Sequence, residues 1–119
     1  MKSRSRKNKG ARLQNWVAAK ISELLGVPWG KDELIRAREM GQSGVDVVLL
    51  GRALELMPVS IECKNQEKYS LPAWIKQAKD NQISGTNWLL FCKRNREEPI
   101  VVMSAELFFE LYKKGMKSG

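Results

Sequence analysis

Apolar residues recur at helical spacing in three parts of the chain, and the pattern predicts a helix in each. The first helix is predicted over residues 10–25, because Gly26 supplies a stop signal. The second is predicted over residues 72–84. The third begins after Ser104, whose side chain can cap it. The apolar face of the first helix includes Leu13, Val17 and Ile21. That of the second includes Trp74, Ile75 and Ala78, and that of the third includes Leu107 and Leu111.

Short β-rich runs fill the remaining chain and predict five strands. They cover residues 33–38, 45–50, 58–64, 87–92 and 99–103, so the element order is αβββαββα and the fold class is α/β. A short turn at Gly51 and Arg52 joins strands two and three, which should therefore be antiparallel neighbours. Residues 54–57 interrupt or extend the third strand, and Pro58 suggests a sheet edge or a bulge there.

The third predicted strand carries apolar side chains on one face and polar side chains on the other, since strand side chains alternate. The apolar set is Val59, Ile61 and Cys63, and the polar set is Ser60, Glu62 and Lys64. Asp46 adds a carboxylate within the apolar run of the neighbouring strand. Two carboxylates can hold a hard divalent cation, and a lysine beside them can position or activate water. Taken alone, Glu62 and Lys64 fit the solvated face of an antiparallel strand equally well.

The absence of histidine excludes several kinds of site from this 119-residue chain. A Ser-His-Asp triad, a Cys-His pair and a His-metal finger all need the missing imidazole. The two cysteines, Cys63 and Cys92, lie in apolar runs and are predicted to be buried free thiols. Any catalytic metal would be held by oxygen atoms, which favours Mg²⁺ or Mn²⁺.

Positive charge is concentrated at the N-terminus. Residues 1–12 contain six basic residues and no acidic one, so they carry most of the net charge of +8. We therefore predict a flexible basic arm over residues 1–9 and a single domain over residues 10–119. A polyanion is the simplest partner, and DNA is favoured over a membrane. The candidate phosphate-contacting residues are Arg4, Arg6, Lys7, Lys9 and Arg12.

The four tryptophans divide by context. Trp16 and Trp74 fall on apolar helix faces and are predicted to be core residues. Trp29, between Pro28 and Gly30 in a predicted turn, is the tryptophan considered for contact with nucleic acid or a partner. No stretch of the chain has the length of a membrane span, and no secretory signal is predicted. The expected location is the cytoplasm of a prokaryotic or phage-infected cell.

The spacing of Gly44-Val45-Asp46 and Ile61-Glu62-Cys63-Lys64 resembles the catalytic signature of the PD-(D/E)xK nuclease superfamily. Within it, the chain is most similar to the archaeal-type and phage Holliday junction resolvases. The basic segment 9–14 and the loop 41–44 add to the likeness, which spans residues 7–112. It implies a restriction-endonuclease-like fold with a mixed central sheet flanked by helices. It also implies that Asp46, Glu62 and Lys64 are catalytic, and that Asp46, Glu62 and the Cys63 carbonyl bind Mg²⁺, with Mn²⁺ able to substitute.

The first helix departs from the family pattern, which has a metal-assisting glutamate where this chain has Gln14. Three arrangements are open: two carboxylates suffice, Glu39 or Glu23 substitutes, or Gln14 acts through water. Ser43 lies where resolvase-like loops carry a serine near the cleaved phosphate. Gln77 lies in the helix that often contributes a glutamine or a basic residue to the site. Ordinary turn chemistry and a solvated helix face explain these last two residues equally well.

The expected function is metal-dependent hydrolysis of DNA, with structure-selective cleavage of four-way junctions by a homodimer. A second possibility is another branched-DNA or flap nuclease, or a restriction-like enzyme. A third is a DNA-binding module that keeps the nuclease fold without catalysis. Intact Asp46, Glu62 and Lys64 favour an enzyme, whereas Gln14 favours the binding module.

Overall fold

The computed structural model describes residues 2–39 and 43–118, with side chains described from 8 to 39 and from 43 to 117. The elements in chain order are α1 (Lys2–Leu25), β1 (Ile35–Ala37), β2 (Val47–Leu49), α2 (Gly51–Leu56), β3 (Val59–Asn65), α3 (Leu71–Asp80), β4 (Asn87–Lys93), β5 (Ile100–Val102) and α4 (Ala105–Ser118). None of the helices in these ranges is long and apolar enough to cross a membrane.

The five strands form one mixed sheet in the order β1-β2-β3-β4-β5. Neighbouring strands are antiparallel except β3 and β4, which are parallel and joined through α3. A parallel pair needs such a crossover, because its strands start at the same end of the sheet. The predicted α/β class, the mixed sheet and the antiparallel pairing of the Asp46 and Glu62 segments are confirmed.

Helices cover the sheet on both faces. On one face, α1 packs through Leu13, Val17 and Ile21 onto the alternating apolar residues of β2 and β3, and Leu107 of α4 joins this core. On the other face, α3 packs through Trp74 onto Leu90 and Cys92 of β4. Both cysteines are free and buried, as predicted. The Ser104 cap is also confirmed, since the Leu107 amide donates to Ser104 Oγ over 3.0 Å.

The connection between β2 and β3 corrects two predictions. It contains the short helix α2 rather than a simple turn and a strand extension. Ala53 of this helix is fully buried, and Leu54 and Met57 pack on the same core. That spacing places the three side chains on one helical face. Pro58 marks neither an edge nor a bulge: it precedes the central strand β3, and its carbonyl accepts a hydrogen bond from the Asn87 amide.

Trp16 is a further correction, because it is not a core residue. Its side chain is 42% exposed, and Lys20 Nζ lies 5.7 Å from its ring centroid. The neighbouring positions Val17 and Ala18 fill the core instead. Trp74 is buried, as predicted.

The first helix begins earlier than predicted, since the backbone of residues 2–9 also belongs to α1. The flexibility of this segment in solution, and its division from the domain, stay predictions. The second predicted helix is shorter than expected and ends at Asp80, with Asn81 as its C-cap.

Candidate active site

Asp46 occupies the residue just before β2, where its backbone is held from both sides. The Asp46 amide donates to the Ile61 carbonyl of β3 over 2.8 Å, and its carbonyl accepts from the Arg38 amide over 2.8 Å. The side chain of Asp46 is half-buried. The predicted neighbouring position of Asp46 and the Glu62 strand is therefore present in the fold.

The Asp46 carboxylate takes the place of a backbone acceptor in the sheet. In the β2–β3 ladder, Val47 pairs with Ile61. Two residues further along β3, the Cys63 amide donates to Asp46 Oδ2 over 2.7 Å. The amide and carbonyl of one strand residue point to the same side of the strand. The Cys63 carbonyl therefore faces the Asp46 side of β3, as its predicted role as a metal ligand requires.

Glu62 is a buried carboxyl group, with only 3% of its surface exposed. Burial raises its pKa to about 8, and the Asp46 carboxylate contributes as a hydrogen-bond partner and as a like charge. The Asn81 amide and the Lys64 charge act in the opposite direction and lower the pKa of Glu62. Without a cation, the raised pKa therefore favours the protonated form of Glu62 at neutral pH.

Asn81 is a site residue that sequence reasoning missed. Its Nδ2 donates to Glu62 Oε2 over 3.1 Å and to the Gly44 carbonyl over 3.5 Å, so it links α3 with the Glu62 strand and the Asp46 loop. Asparagine at a helix C-terminus is an ordinary end signal. Nothing in the local sequence predicts its contact with Glu62.

Ser60 fixes the segment that follows Asn81. Ser60 Oγ lies 2.7 Å from Thr86 Oγ1 and accepts a hydrogen bond from the Ile83 amide over 2.9 Å. Ser60 and Glu62 lie on the same face of β3, because they are two residues apart. The polar face of β3 therefore anchors the end of α3 while it presents Glu62.

Lys64 is the third member of the polar face and is half-buried. Its positive charge lowers the pKa of Glu62, which places the ammonium group in the electrostatic range of the carboxyl pair. In the described part of the chain, Lys64 forms no ion pair. Its ammonium group is therefore available to a phosphate or a water molecule.

The three accessory candidates differ in their exposure to solvent. Gln14 is buried in α1, with 4% of its surface exposed, beside core residues of that helix. Ser43 is exposed in the loop before Asp46. Gln77 is exposed on α3, and Asn81, one turn later, makes the contact with Glu62 instead. Of the loop 41–44, residues 41 and 42 lie outside the described residues.

The donor atoms fit a hard divalent cation, although they supply two carboxylates rather than three. Within residues 2–39 and 43–118, no group of three Asp, Glu, Cys or His side chains could hold a metal ion, so neither Glu23 nor Glu39 joins Asp46 and Glu62. A divalent charge would favour ionised Glu62 against the burial and the Asp46 charge that raise its pKa. Burial raises the pKa of the Cys63 thiol well above its ordinary value, so its sulfur stays neutral and its carbonyl is the suitable donor.

The predicted DNA-contacting residues are only partly described. Lys9 Nζ lies 3.8 Å from Glu67 Oε2, and the Lys9 carbonyl accepts a hydrogen bond from Asn65 Nδ2 over 2.9 Å. Lys9 is thus attached to the end of β3. Arg12 is exposed on α1, and the side chains of Arg4, Arg6 and Lys7 lie outside the described ones.

Comparison with known proteins places the chain in a family. No curated protein and no solved structure matches the chain. A family profile described as "Phage putative PDDEXK endonuclease" matches residues 5–118. This range includes Asp46, Glu62, Lys64, the strands β1 to β5, the helices α2 to α4, and all of α1 except residues 2–4. The matched range covers nearly the whole chain, and the chain therefore belongs to this phage PDDEXK endonuclease family.

Proposed function

We propose that this protein is an endodeoxyribonuclease that hydrolyses phosphodiester bonds with Mg²⁺, for which Mn²⁺ can substitute. One observation carries the proposal. The Asp46 carboxylate is held by the Cys63 amide at 2.7 Å beside the buried Glu62, with Lys64 on the same strand face. Burying the Glu62 carboxyl group next to a second, half-buried acid is costly for a purely structural strand, which favours a catalytic role.

Asp46, Glu62 and the Cys63 carbonyl would hold the cation. When bound, the ion supplies Lewis-acid stabilisation of the phosphate charge and eases ionisation of water. Lys64 positions or deprotonates the attacking water and stabilises the charge that develops on the phosphate oxygens. Asn81 orients Glu62 through its hydrogen bond of 3.1 Å. Each role uses a group that already lies just before β2, on β3 or at the C-cap of α3.

The proposed substrate is a four-way DNA junction, recognised by its shape. Phosphate contacts position a protein on DNA without reading bases. The basic N-terminal residues suit such contacts. Cleavage of a flap or another branch is the nearest alternative within the same chemistry.

The proposed assembly is a homodimer, because α4 presents an apolar surface that the domain does not cover. Among the described side chains of α4, only Leu107 is buried, whereas Phe109, Tyr112 and Met116 are each more than 60% exposed. A hollow of about 500 Å³ lies beside these three residues. Exposed apolar patches of this kind are typical of protein interfaces, and a two-fold dimer would supply two active sites for two strands.

The decisive experiment compares four DNA substrates of equal length with Mg²⁺: a four-way junction, a flap, a linear duplex and a single strand. We expect paired nicks near the branch of the junction, in strands related by two-fold symmetry, and little effect of permuting the arm sequences. Equal cleavage of junction and duplex would contradict junction selectivity but support a nuclease. Binding without cleavage of any substrate would favour the non-catalytic module, the second candidate, which Gln14 supports.

A further inference from the structure

The sheet face that carries Glu62 is only half covered by a helix. α3 packs on β3 and β4, and the apolar cluster beneath it contains residues of β4 and β5 but none of β1 or β2. Val47 and Ile61 are strand partners that both point into the core under α1. Because side chains alternate, Asp46 and Val48 must lie on the opposite face together with Glu62.

Two arginines of the first strand region lie on this open half. Arg36 is the strand partner of Val48, and the Arg38 amide bonds to the Asp46 carbonyl at 2.8 Å. Antiparallel partners are about 5 Å apart between Cα atoms. The open half of the face therefore begins directly beside Asp46.

A groove of about 640 Å³ runs over this region, in the size range of ligand clefts, roughly 300–1,000 Å³. We call it the β1 groove. Its lining includes Trp29, Lys31, Arg36, Arg38, Val48 and Leu50. Glu39 contributes the one carboxylate among the described lining residues, so the groove has an excess of positive charge.

Each of the two arginines is fixed through one nitrogen atom of its guanidinium group, the Nε. Arg36 Nε donates to the Glu33 carbonyl over 2.6 Å, and Arg38 Nε donates to the Val45 carbonyl over 2.5 Å. Neither arginine forms an ion pair with another described residue. An arginine fork fixed through Nε leaves its Nη atoms for an anion such as phosphate.

Trp29 forms a fixed aromatic wall of the groove. Its backbone makes an isolated bridge with Ile35, and the adjacent Gly30 amide donates to the Ile35 carbonyl over 2.9 Å. The Trp29 side chain is still 38% exposed. An aromatic ring beside unpaired cations is the arrangement that stacks single-stranded bases while the cations hold the backbone.

We propose that the β1 groove binds an unpaired DNA strand next to the cleavage site, with a base stacked on Trp29 and phosphates on Arg36 and Lys31. The proposal rests on the proposed DNA nuclease function and adds the strand state that the protein selects. Arg38 connects the groove with the site, because it also contacts the Asp46 loop. Nucleotides that leave their base pairs at the branch point of a junction, or that form a flap, can reach such a groove, whereas the stacked bases of a continuous duplex cannot.

The test measures fluorescence anisotropy of a labelled thymidine oligonucleotide and of a duplex of equal length, without Mg²⁺ so that cleavage is absent. Trp29→Ala should weaken single-strand binding about tenfold and duplex binding by less than about twofold, because stacking on an aromatic residue contributes 1–3 kcal/mol per base. Trp29→Phe should recover most of the lost affinity. Trp16→Ala is the matched control, since Trp16 is equally exposed but lies outside the groove lining, and it should bind like the wild type.

Equal losses on both DNAs, or no loss on the single strand, would overturn the proposal. A photochemical measurement on the wild-type protein covers the case in which Trp29→Ala fails to fold. An oligonucleotide containing 5-iodouracil should cross-link at Trp29, and cross-linking confined to Trp16 or to α4 would count against the groove.

A parallel cleavage assay separates the two proposals. If the wild type cleaves no DNA but Trp29→Ala still loses single-strand binding, the nuclease function is wrong and the groove stands. If the wild type cleaves and Trp29→Ala binds the single strand normally, the groove alone is wrong.

Discussion

Asn81 Nδ2 lies 3.1 Å from Glu62 Oε2 and connects the C-terminal end of α3 with the buried carboxyl group on β3. The same amide reaches the Gly44 carbonyl, so one side chain contacts both the Glu62 strand and the loop that leads to Asp46. Asn81 is therefore a positioning residue for both candidate acids. Its contacts favour ionised Glu62, because they lower the pKa of this group.

The first prediction is that Asn81→Ala shifts the pH dependence of cleavage to higher pH. Loss of the amide donor removes a factor that lowers the pKa of Glu62, so ionisation of Glu62 requires a higher pH. We expect cleavage at neutral pH to fall about tenfold, in line with an effect of one pKa unit. The pH–rate profile measures the shift, and a drop of equal size at all pH values would indicate mere misfolding. Gln77→Ala, one turn earlier and exposed, should leave the profile unchanged.

The second prediction concerns the candidate catalytic residues. Asp46→Asn and Lys64→Ala should each reduce Mg²⁺-dependent cleavage at least about 100-fold, because each removes charge from the reacting centre. DNA binding should persist, since the phosphate contacts lie mainly elsewhere. Asp80→Asn serves as the control, because Asp80 is an exposed acid paired with Lys76. Wild-type cleavage rates in both variants would place the active site at other residues.

The third prediction concerns the stability of the metal-free protein. The pKa of Glu62 rises from 4.5 to about 8 on folding, so the folded state binds more protons within that window. Stability should therefore be highest below the lower value and fall as pH rises toward the upper one.

Glu62→Gln stays neutral and should avoid this loss. At about pH 9 with a chelator, the variant should have a higher free energy of unfolding, by an amount on the order of 1–3 kcal/mol. The difference should vanish near pH 4.5, the ordinary pKa of the group. Denaturant unfolding measures both values, with Glu55→Gln on the exposed surface of α2 as the control. A wild type as stable as the variant at high pH would contradict the raised pKa.

The fourth prediction concerns the basic N-terminus. Replacing Lys2, Arg4, Arg6 and Lys7 with glutamine should weaken DNA binding and reduce the slope of log affinity against log salt by up to about 0.9 per residue. Substitution is preferable to deletion, because the backbone of residues 2–9 is helical and Lys9 is attached to β3. The double variant Lys76→Gln and Arg94→Gln is the control, since both cations are already ion-paired. An unchanged slope would mean that this segment does not touch phosphates.

The fifth prediction tests the dimer. Phe109 is 67% exposed on α4, and Phe109→Glu should place a charge in the proposed interface. We expect sedimentation analysis to find a dimer for the wild type and a monomer for the variant. Paired cleavage of the two junction strands should then become independent nicking. A monomeric wild type that still produces paired nicks would rule out this interface.

Some features could not be predicted because they depend on contacts between distant parts of the chain. The helical spacing of Ala53, Leu54 and Met57 was present in the sequence. Because this apolar segment is so short, the same residues also fitted an extension of the strand. Trp16 has apolar helical spacing, yet the core space beside it is filled by Val17 and Ala18. Asn81 is an ordinary helix-end residue until the fold places it beside Glu62.

By itself, the sequence determined which residues of β3 share a face, because strand side chains alternate wherever the strand is placed. It therefore identified Glu62 and Lys64 as one polar set and Asp46 as the neighbouring acid. Only the tertiary structure decided that Asp46 bonds to the Cys63 amide, that Asn81 reaches Glu62 and that the β1 groove opens beside them. Those relationships arise from the pairing of strands and the placement of α3, which bring together residues whose local patterns contain no information about each other.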